Sequence, residues 1–213
     1  MSYHVKELFY TLQGEGAQTG RAAVFCRFTG CNLWSGLEQD RAGAVCRFCD
    51  TDFRGTDGPG GGRFADAIVL ARQLRLEWDR VADGGGAPYV VFTGGEPLLQ
   101  LDEALILACH AHGLEVGVET NGTQPAPEGL DWICVSPKAG AALVQRKGDE
   151  LKLIFPQDGL DPESVVDLSF RHRFLQPMDG PARAENTARA AAYCQSHPAW
   201  RLSLQTHKLI GLP

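Results

Sequence analysis

Residues 26–53 contain the stretch Cys26-Arg-Phe-Thr-Gly-Cys31, then fourteen residues, then Cys46-Arg-Phe-Cys49-Asp-Thr-Asp-Phe53. This stretch holds four of the seven cysteines of the chain. Thiols gathered on a loop-like segment, in a chain with no secretory features, indicate a metal centre before they indicate a disulfide.

The spacing of these cysteines alone leaves the kind of centre open. Structural zinc usually takes four protein ligands, commonly from two CxxC-like pairs, whereas the pair Cys46 and Cys49 has only Cys31 as a loose partner. Cys26 lies in residues 22–28, an apolar run with strand-like alternation, and we expect it to be a small buried thiol. Three thiolates fit an iron–sulfur cluster with one open iron. A structural zinc site and a group of thiols without a metal are the alternatives.

A second motif, Thr93-Gly-Gly-Glu-Pro97, follows a run of residues typical of a buried strand. Together with the three cysteines and with Phe48 before the last of them, it resembles the radical S-adenosylmethionine (SAM) enzymes. The gap of fourteen residues resembles one family among them, the 7-carboxy-7-deazaguanine synthases. Further motifs of that family extend along the whole chain: Gln13-Gly-Glu-Gly16, Arg27, Cys49-Asp-Thr51, Glu119-Thr-Asn-Gly122, Ser136-Pro-Lys138, Gln176-Pro-Met-Asp179 and His207-Lys-Leu-Ile-Gly-Leu-Pro213.

The composition predicts one soluble, cytoplasmic domain that spans residues 1–213. The 213 residues are 44% hydrophobic, which is enough for a single core. The net charge is −6 and no dense run of Lys or Arg occurs, so nucleic-acid binding is not expected. No apolar run approaches membrane-spanning length, and the first residues lack the apolar core of a signal peptide, so we expect no membrane association.

Alternating strand and helix patterns predict parallel βαβ units. Strands are predicted near 5–10, 22–28, 88–93, 114–122, 132–138, 151–155, 173–177 and 201–205, and helices over 64–81, 101–112 and 182–196. The motifs fall at the carboxyl ends of strands, the face that carries the site in barrel-like α/β proteins. Too few units exist for a closed barrel. We therefore predict a partial TIM-like barrel of about six mostly parallel strands, as in radical SAM proteins, with a cluster-binding loop at 29–63.

The resemblance implies a 4Fe–4S cluster on Cys31, Cys46 and Cys49, with SAM bound to the fourth iron. The residues that it implies for SAM binding are Phe48, Cys49, Asp50, Gly95, Glu96, Ser136, Pro137, Lys138, Gln176, Pro177, Met178 and Asp179. Glycine at position 95 lets the backbone approach the ligand, and the Glu96 carboxylate is expected to balance the positive amine of SAM.

The resemblance also implies the substrate 6-carboxy-5,6,7,8-tetrahydropterin. A radical-mediated ring contraction would release ammonia and give 7-carboxy-7-deazaguanine, a lyase reaction in queuosine and 7-deazapurine biosynthesis. The implied substrate contacts are Leu12, Gln13, Gly14, Glu15, Arg27, Thr93, Gly94 and Pro213. The planar fork of Arg27 suits the substrate carboxylate. Without the family, the turn at 13–16 would be taken as a surface hairpin, Arg27 as solvated and the terminus as exposed.

Further expectations concern magnesium and partners. The resemblance implies Mg²⁺ with Thr51 as its one protein ligand, which is reasonable because Mg²⁺ commonly keeps several waters. It also implies a flavodoxin or ferredoxin as reductant and a homodimer. Two alternatives stay open, namely a glycyl-radical enzyme activase, whose usual first cysteine gap is three residues, and a binding module with structural zinc.

Overall fold

The computed structural model describes residues 2–213 of the chain. Within them, nine strands form a single open sheet and four α-helices pack beside it. The strands are β1 (Tyr3–Leu12), β2 (Ala22–Phe28), β3 (Gly62–Phe64), β4 (Tyr89–Gly94), β5 (Glu115–Thr120), β6 (Trp132–Val135), β7 (Lys147–Phe155), β8 (Ser169–Pro177) and β9 (Arg201–Leu202). The helices are α1 (Ala67–Val81), α2 (Glu103–Ala111), α3 (Arg183–Ser196) and α4 (Thr206–Ile210).

The strand order is β3-β1-β2-β4-β5-β6-β7-β8-β9. Strands β2 and β4 to β9 run parallel, and β1 pairs antiparallel with both β2 and β3. The prediction of an incomplete, mostly parallel barrel is therefore confirmed. The parallel part has seven strands, and the last of them, the two-residue β9, lies where a strand at 201–205 was predicted. The antiparallel β1 and β3 form the other edge.

Strand β2 shows how the sequence assigns the two faces of the sheet. Val24, Cys26 and Phe28 have no solvent exposure and belong to the main core with α1 and α2. Burying each large apolar side chain contributes about 1.5–3 kcal/mol. Phe25 and Arg27 lie on the opposite face, where they border a cavity. Cys26 is thus the buried thiol that the alternation predicts.

Side-chain caps fix where the first two helices begin. Asp66 accepts a hydrogen bond from the Val69 amide at 2.9 Å, and Asp102 accepts one from the Leu105 amide at 2.9 Å. Both helices therefore start two or three residues later than the apolar periodicity indicates. The residues before α1 pair with β1 as β3, so the cluster-binding loop ends in a strand.

The connections on either side of β6 contain no helix among the described residues. Helix α3 covers β7 and β8 through a second core that includes Leu153, Leu175 and Ala190. None of the helices within residues 2–213 has the length and apolarity needed to cross a membrane.

The carboxyl-terminal segment, residues 205–213, contains the unpredicted helix α4 and returns to the first strand. The Thr206 amide and hydroxyl both donate to the Gly14 carbonyl oxygen, at 2.9 and 2.8 Å. The predicted strand at 201–205 is shorter, because only Arg201–Leu202 pairs with β8. The chain thus brings its last helix against the turn that follows β1.

Candidate active site

One cavity of about 410 Å³ lies at the carboxyl ends of the parallel strands. It is lined by every residue predicted for the cluster, magnesium, SAM and substrate, except Glu96 and Pro137. Because parallel strands present their carboxyl ends at one edge, motifs scattered over two hundred residues meet there. The structure therefore brings the predicted site together around a single space.

The three cysteines of the cluster loop are free thiols that line this cavity. The Sγ atom of Cys31 accepts a hydrogen bond from the Leu33 amide at 3.4 Å. A hydrogen bond from Cys46 lowers the pKa of Cys49 to about 6 against the opposing effect of burial, and the same bond raises the pKa of Cys46. This pair thus holds a thiolate at neutral pH, the protonation state that metal binding requires.

The thiols fit an iron–sulfur cluster better than a single metal ion. Between Ser2 and Pro213, no three Cys, His, Asp or Glu side chains are arranged to hold one metal ion. No fourth cysteine of the described residues lines the cavity, since Cys26, Cys109 and Cys134 are buried in strands or helices and Cys194 lies on α3. Three thiols beside an open space match the ligand set of a cubane cluster with one available iron.

The insert between Cys31 and Cys46 packs over the cysteine loop. Trp34 meets Phe53 edge-on with ring centroids 5.7 Å apart, and the Arg41 guanidinium lies 4.0 Å above the Trp34 ring. Arg41 Nη1 also donates to the carbonyl oxygens of Arg47 and Cys49, at 2.9 and 3.1 Å. Trp34 therefore packs against the cysteine loop, and Arg41 holds the backbone of the Cys46–Cys49 segment through two hydrogen bonds.

The motif Gly94-Gly-Glu96 holds the start of the cluster-binding loop against the end of β4. The Glu96 amide donates to the Gly30 carbonyl oxygen at 2.9 Å. A Cβ atom at Gly95 would lie 2.1 Å from that oxygen and 2.7 Å from the Cβ of Cys31. Only glycine therefore allows the two segments to approach this closely.

Glu96 has a structural task that the sequence did not indicate. Its carboxylate is fully buried and accepts hydrogen bonds from the Thr120 hydroxyl at 2.7 Å, the Asn121 amide at 2.8 Å and the Leu98 amide at 2.9 Å. Burial raises the pKa of Glu96. Its side chain joins the ends of β4 and β5 and does not line the cavity. Contact of Glu96 and Pro137 with SAM stays a prediction.

Arg27 is held in place by a residue that sequence reasoning missed. Its Nε donates to Glu7 Oε1 at 2.7 Å, and both side chains line the cavity. Glu7 and Arg27 are cross-strand partners in the β1–β2 ladder. An antiparallel pairing of these two strands would have placed the opposite charges side by side and could have revealed Glu7. The pair leaves the terminal guanidinium nitrogens of Arg27 for another partner.

A buried polar network forms another part of the cavity wall. Lys152 Nζ contacts Glu15 Oε2 at 2.5 Å and Glu119 Oε2 at 2.9 Å, and Gln13 Nε2 donates to Glu119 Oε1 at 2.7 Å. Gln205 Nε2 donates to Glu15 at 3.0 Å. Burial raises the pKa of Glu15, but the charge of Lys152 outweighs this effect and lowers it to about 2. Lys152 and Gln205 were missed because both are isolated polar residues in sequence.

The carboxyl-terminal segment completes the wall of the cavity. His207, Lys208 and Pro213 line it, and the Thr11 hydroxyl donates to the Pro213 carbonyl oxygen at 3.3 Å. A Cβ atom at Gly14 would lie 2.0 Å from Nδ1 of His207. The terminal residue Pro213 is exposed and also borders the site.

Comparison with known proteins defines the class to which this fold and site belong. The family model described as the radical SAM superfamily matches residues 41–148. The crystal structure of QueE from Escherichia coli superposes with a TM-score of 0.70 and 26% identity, covering 97% of this chain and 95% of that one. The open parallel sheet with three cysteines at its carboxyl edge is therefore a radical SAM fold, and this family implies a 4Fe–4S cluster and SAM.

Full-length relatives narrow the class. Proteins named 7-carboxy-7-deazaguanine synthase from Bordetella pertussis and Bradyrhizobium diazoefficiens are 66% and 63% identical to this chain, with 100% of each chain covered. The chain belongs to the 7-carboxy-7-deazaguanine synthase family. The prediction of a radical SAM lyase of this family, made from the cysteine spacing and the accompanying motifs, is confirmed.

Proposed function

We propose that this chain catalyses the radical-mediated ring contraction of 6-carboxy-5,6,7,8-tetrahydropterin to 7-carboxy-7-deazaguanine, with release of ammonia, in queuosine and 7-deazapurine biosynthesis. The observation that carries the proposal is the single cavity that joins the three cysteines to the motifs of this family. When bound, the cluster and SAM supply a carbon radical that abstracts hydrogen from the substrate. The protein binds, orients and shields both partners of that step.

The half of the cavity beside the cysteines fits SAM. Lys138 Nζ donates to the carbonyl oxygen and hydroxyl of Ser136, at 2.6 and 2.7 Å, and has no carboxylate partner among the described side chains. Burial lowers the pKa of Lys138. A half-buried cation that faces the thiols of Cys46 and Cys49 but pairs with no carboxylate suits an anionic group of a ligand, such as the carboxylate of SAM. Residues 176–179, at the carboxyl end of β8, also line the cavity.

The half of the cavity beside the buried network fits the pterin. The pyrimidine edge of a pterin carries adjacent N–H donors, and the carboxylates of Glu15 and Glu119 with the amide of Gln13 offer oxygen acceptors. Arg27, fixed through its Nε by Glu7, offers its terminal nitrogens to the substrate carboxylate in the bidentate geometry that guanidinium groups favour. Thr93, Gly94 and the other predicted contacts line the same cavity.

We further propose Mg²⁺ at Thr51, a flavodoxin or ferredoxin as the electron donor, and a homodimer. Thr51 lines the cavity two residues after Cys49, so its hydroxyl would hold a metal ion within the cavity and close to the cysteine loop. Hard cations such as Mg²⁺ use oxygen ligands and retain waters, which one threonine and a substrate carboxylate can complete.

Anaerobic turnover with SAM, dithionite, Mg²⁺ and 6-carboxytetrahydropterin, followed by mass spectrometry, tests the proposed reaction. We expect 7-carboxy-7-deazaguanine without stoichiometric consumption of SAM. Cys31→Ala should abolish product, whereas Cys194→Ala, which alters a thiol on α3 away from the cavity, should not. Cleavage of SAM with no deazapurine product would refute the substrate and would favour another radical SAM activity, such as activation of a glycyl-radical enzyme.

A further inference from the structure

Lys208 bridges two carboxylates that border the cavity from different parts of the chain. Its Nζ lies 2.7 Å from Asp50 Oδ2 and 2.7 Å from Asp179 Oδ2. Asp50 directly follows the third cysteine of the cluster loop, and Asp179 follows β8. Lys208 itself lies on α4, and all three residues line the cavity. One ammonium group therefore connects three separate segments at the rim of the site.

This bridge differs from an ordinary surface ion pair. An exposed pair of charges typically contributes only about 0.2–1 kcal/mol, because solvent screens it and two side chains must be ordered. The side chains of Lys208 and Asp179 are each 31% exposed, and the lysine serves both carboxylates at once. Hydrogen bonding to Lys208 lowers the pKa of Asp179, so this carboxyl is charged throughout the neutral range.

The neighbourhood of Lys208 also explains why its segment is ordered. Residues just before it are bound to the turn after β1 through Thr206 and Gln205, and the Lys208 amide donates to the Gln205 carbonyl oxygen at 3.1 Å. The lysine thus extends from a segment that is already anchored on one side of the cavity. Its two ion pairs anchor the same segment to the cluster loop and to the end of β8.

We propose that Lys208 is a positioning residue for SAM, which holds Asp50 and Asp179 in the arrangement that binds this cofactor. The inference rests on the proposed SAM site, of which both carboxylates are members. The two carboxylates carry a charge of −2 against the +1 of Lys208; the Arg183 guanidinium lies 4.0 Å from Asp179, but its side chain is 56% exposed and solvent screens its charge. The negative charge that remains suits SAM, because the sulfonium and amine of SAM outweigh its carboxylate. Without the lysine the two carboxylates would repel one another and separate.

The positive charge of Lys208 weakens SAM binding, whereas its bridging of the two carboxylates strengthens it. The sign of the change in SAM affinity in a Lys208 variant therefore distinguishes the two effects. Removing a positive charge near a cationic ligand would by itself tighten binding. Losing the geometry of two carboxylates would weaken it. Since the carboxylates are partly exposed and the screened charge effect is small, we expect the loss of geometry to dominate.

The test measures the dissociation constant of SAM on anaerobically purified protein with its cluster, without reductant or pterin substrate, by equilibrium dialysis. We expect Lys208→Met to raise the dissociation constant about tenfold, a difference of about 1.4 kcal/mol. Lys208→Arg should restore binding to within about threefold, since it keeps the charge and the reach. Lys147→Met is the matched control and should not change SAM binding, because Lys147 is the exposed first residue of β7, at the end of the strand away from the cavity.

A double-mutant cycle with Asp179→Asn separates positioning from a general loss of structure. Because Lys208 acts through both carboxylates, the double variant should lose less SAM affinity than the sum of the two single losses. Additive losses, or unchanged or tighter SAM binding by Lys208→Met, would overturn the proposal. So would a failure of Lys208→Arg to restore binding while its thermal midpoint is normal. Because the pterin is absent, these results are independent of whether the wild-type protein makes the proposed product.

Discussion

Replacing Gly95 by alanine tests whether the close approach of β4 to the cluster loop is needed to hold the cluster. The new Cβ would lie 2.1 Å from the Gly30 carbonyl oxygen and 2.7 Å from the Cβ of Cys31, well inside the 3.4 Å at which ordinary contact begins. The nearest obstacle is backbone, so no side-chain rotation can relieve the overlap. Either the loop moves away, together with Cys31, or β4 does.

We expect Gly95→Ala to cost about 2 kcal/mol of folding stability, as overpacking of a tight contact does, and to lower the thermal midpoint by about 4–8 °C. The displaced Cys31 should also reduce the iron and sulfide retained after anaerobic reconstitution. Iron and sulfide assays with a thermal melt measure both effects. Gly43→Ala serves as the control, because Gly43 lies in the cluster-binding loop together with Cys31 and no atom lies within 4 Å of the new Cβ. Full iron content and normal SAM binding in Gly95→Ala would refute the reasoning.

Three further substitutions test other parts of the site. Lys152→Met leaves Glu15 buried without its counter-charge. We therefore expect this substitution to lower the free energy of unfolding by about 3–5 kcal/mol at pH 7. Glu15 stabilises the wild-type protein above its unfolded pKa of 4.5 and loses this contribution as the pH falls towards about 2. In Lys152→Met the Glu15 carboxyl should take up a proton more readily. Acidification from pH 7 to 5 should therefore narrow the difference in thermal midpoint between the wild-type protein and this variant. A difference that widens on acidification would contradict this expectation. Arg41→Gln should release iron to a chelator severalfold faster, because a charged donor to the Cys49 carbonyl is lost, and an unchanged rate would exclude this role of Arg41. Thr51→Ala should reduce turnover at limiting Mg²⁺ by more than tenfold with little change in SAM affinity, and equal turnover would argue against Thr51 as the metal ligand.

The sequence predicted the strands and the site well where local patterns carry the information. Alternation in residues 22–28 gave the bounds of β2 and the burial of Cys26. Motifs at strand ends and on the cysteine loop identified much of the lining of the cavity, because a parallel sheet aligns those ends. Helix starts were placed too early, since the capping residues Asp66 and Asp102 set them and apolar spacing does not.

What the sequence did not predict depends on contacts between residues far apart in the chain. Lys152 and Glu15 are separated by 137 residues, and Lys208 and Asp50 by 158. A lone lysine in a strand or near a terminus gives no local sign of its partner, and its usual state is solvated. Helix α4, with five residues, is too short for periodicity to reveal. Its position is fixed by Thr206 against Gly14 instead.

The contact between Thr206 and Gly14 joins residues separated by 192 positions, and it forms one wall of the cavity. At typical rates of synthesis, roughly 10–40 seconds pass between the emergence of these two residues from a ribosome. During that interval the cysteine loop is already made, while the segment that covers the cavity does not yet exist. A nascent chain therefore passes through a state in which the thiols are accessible. In that state a cluster reaches the thiols more easily than it does in the finished fold.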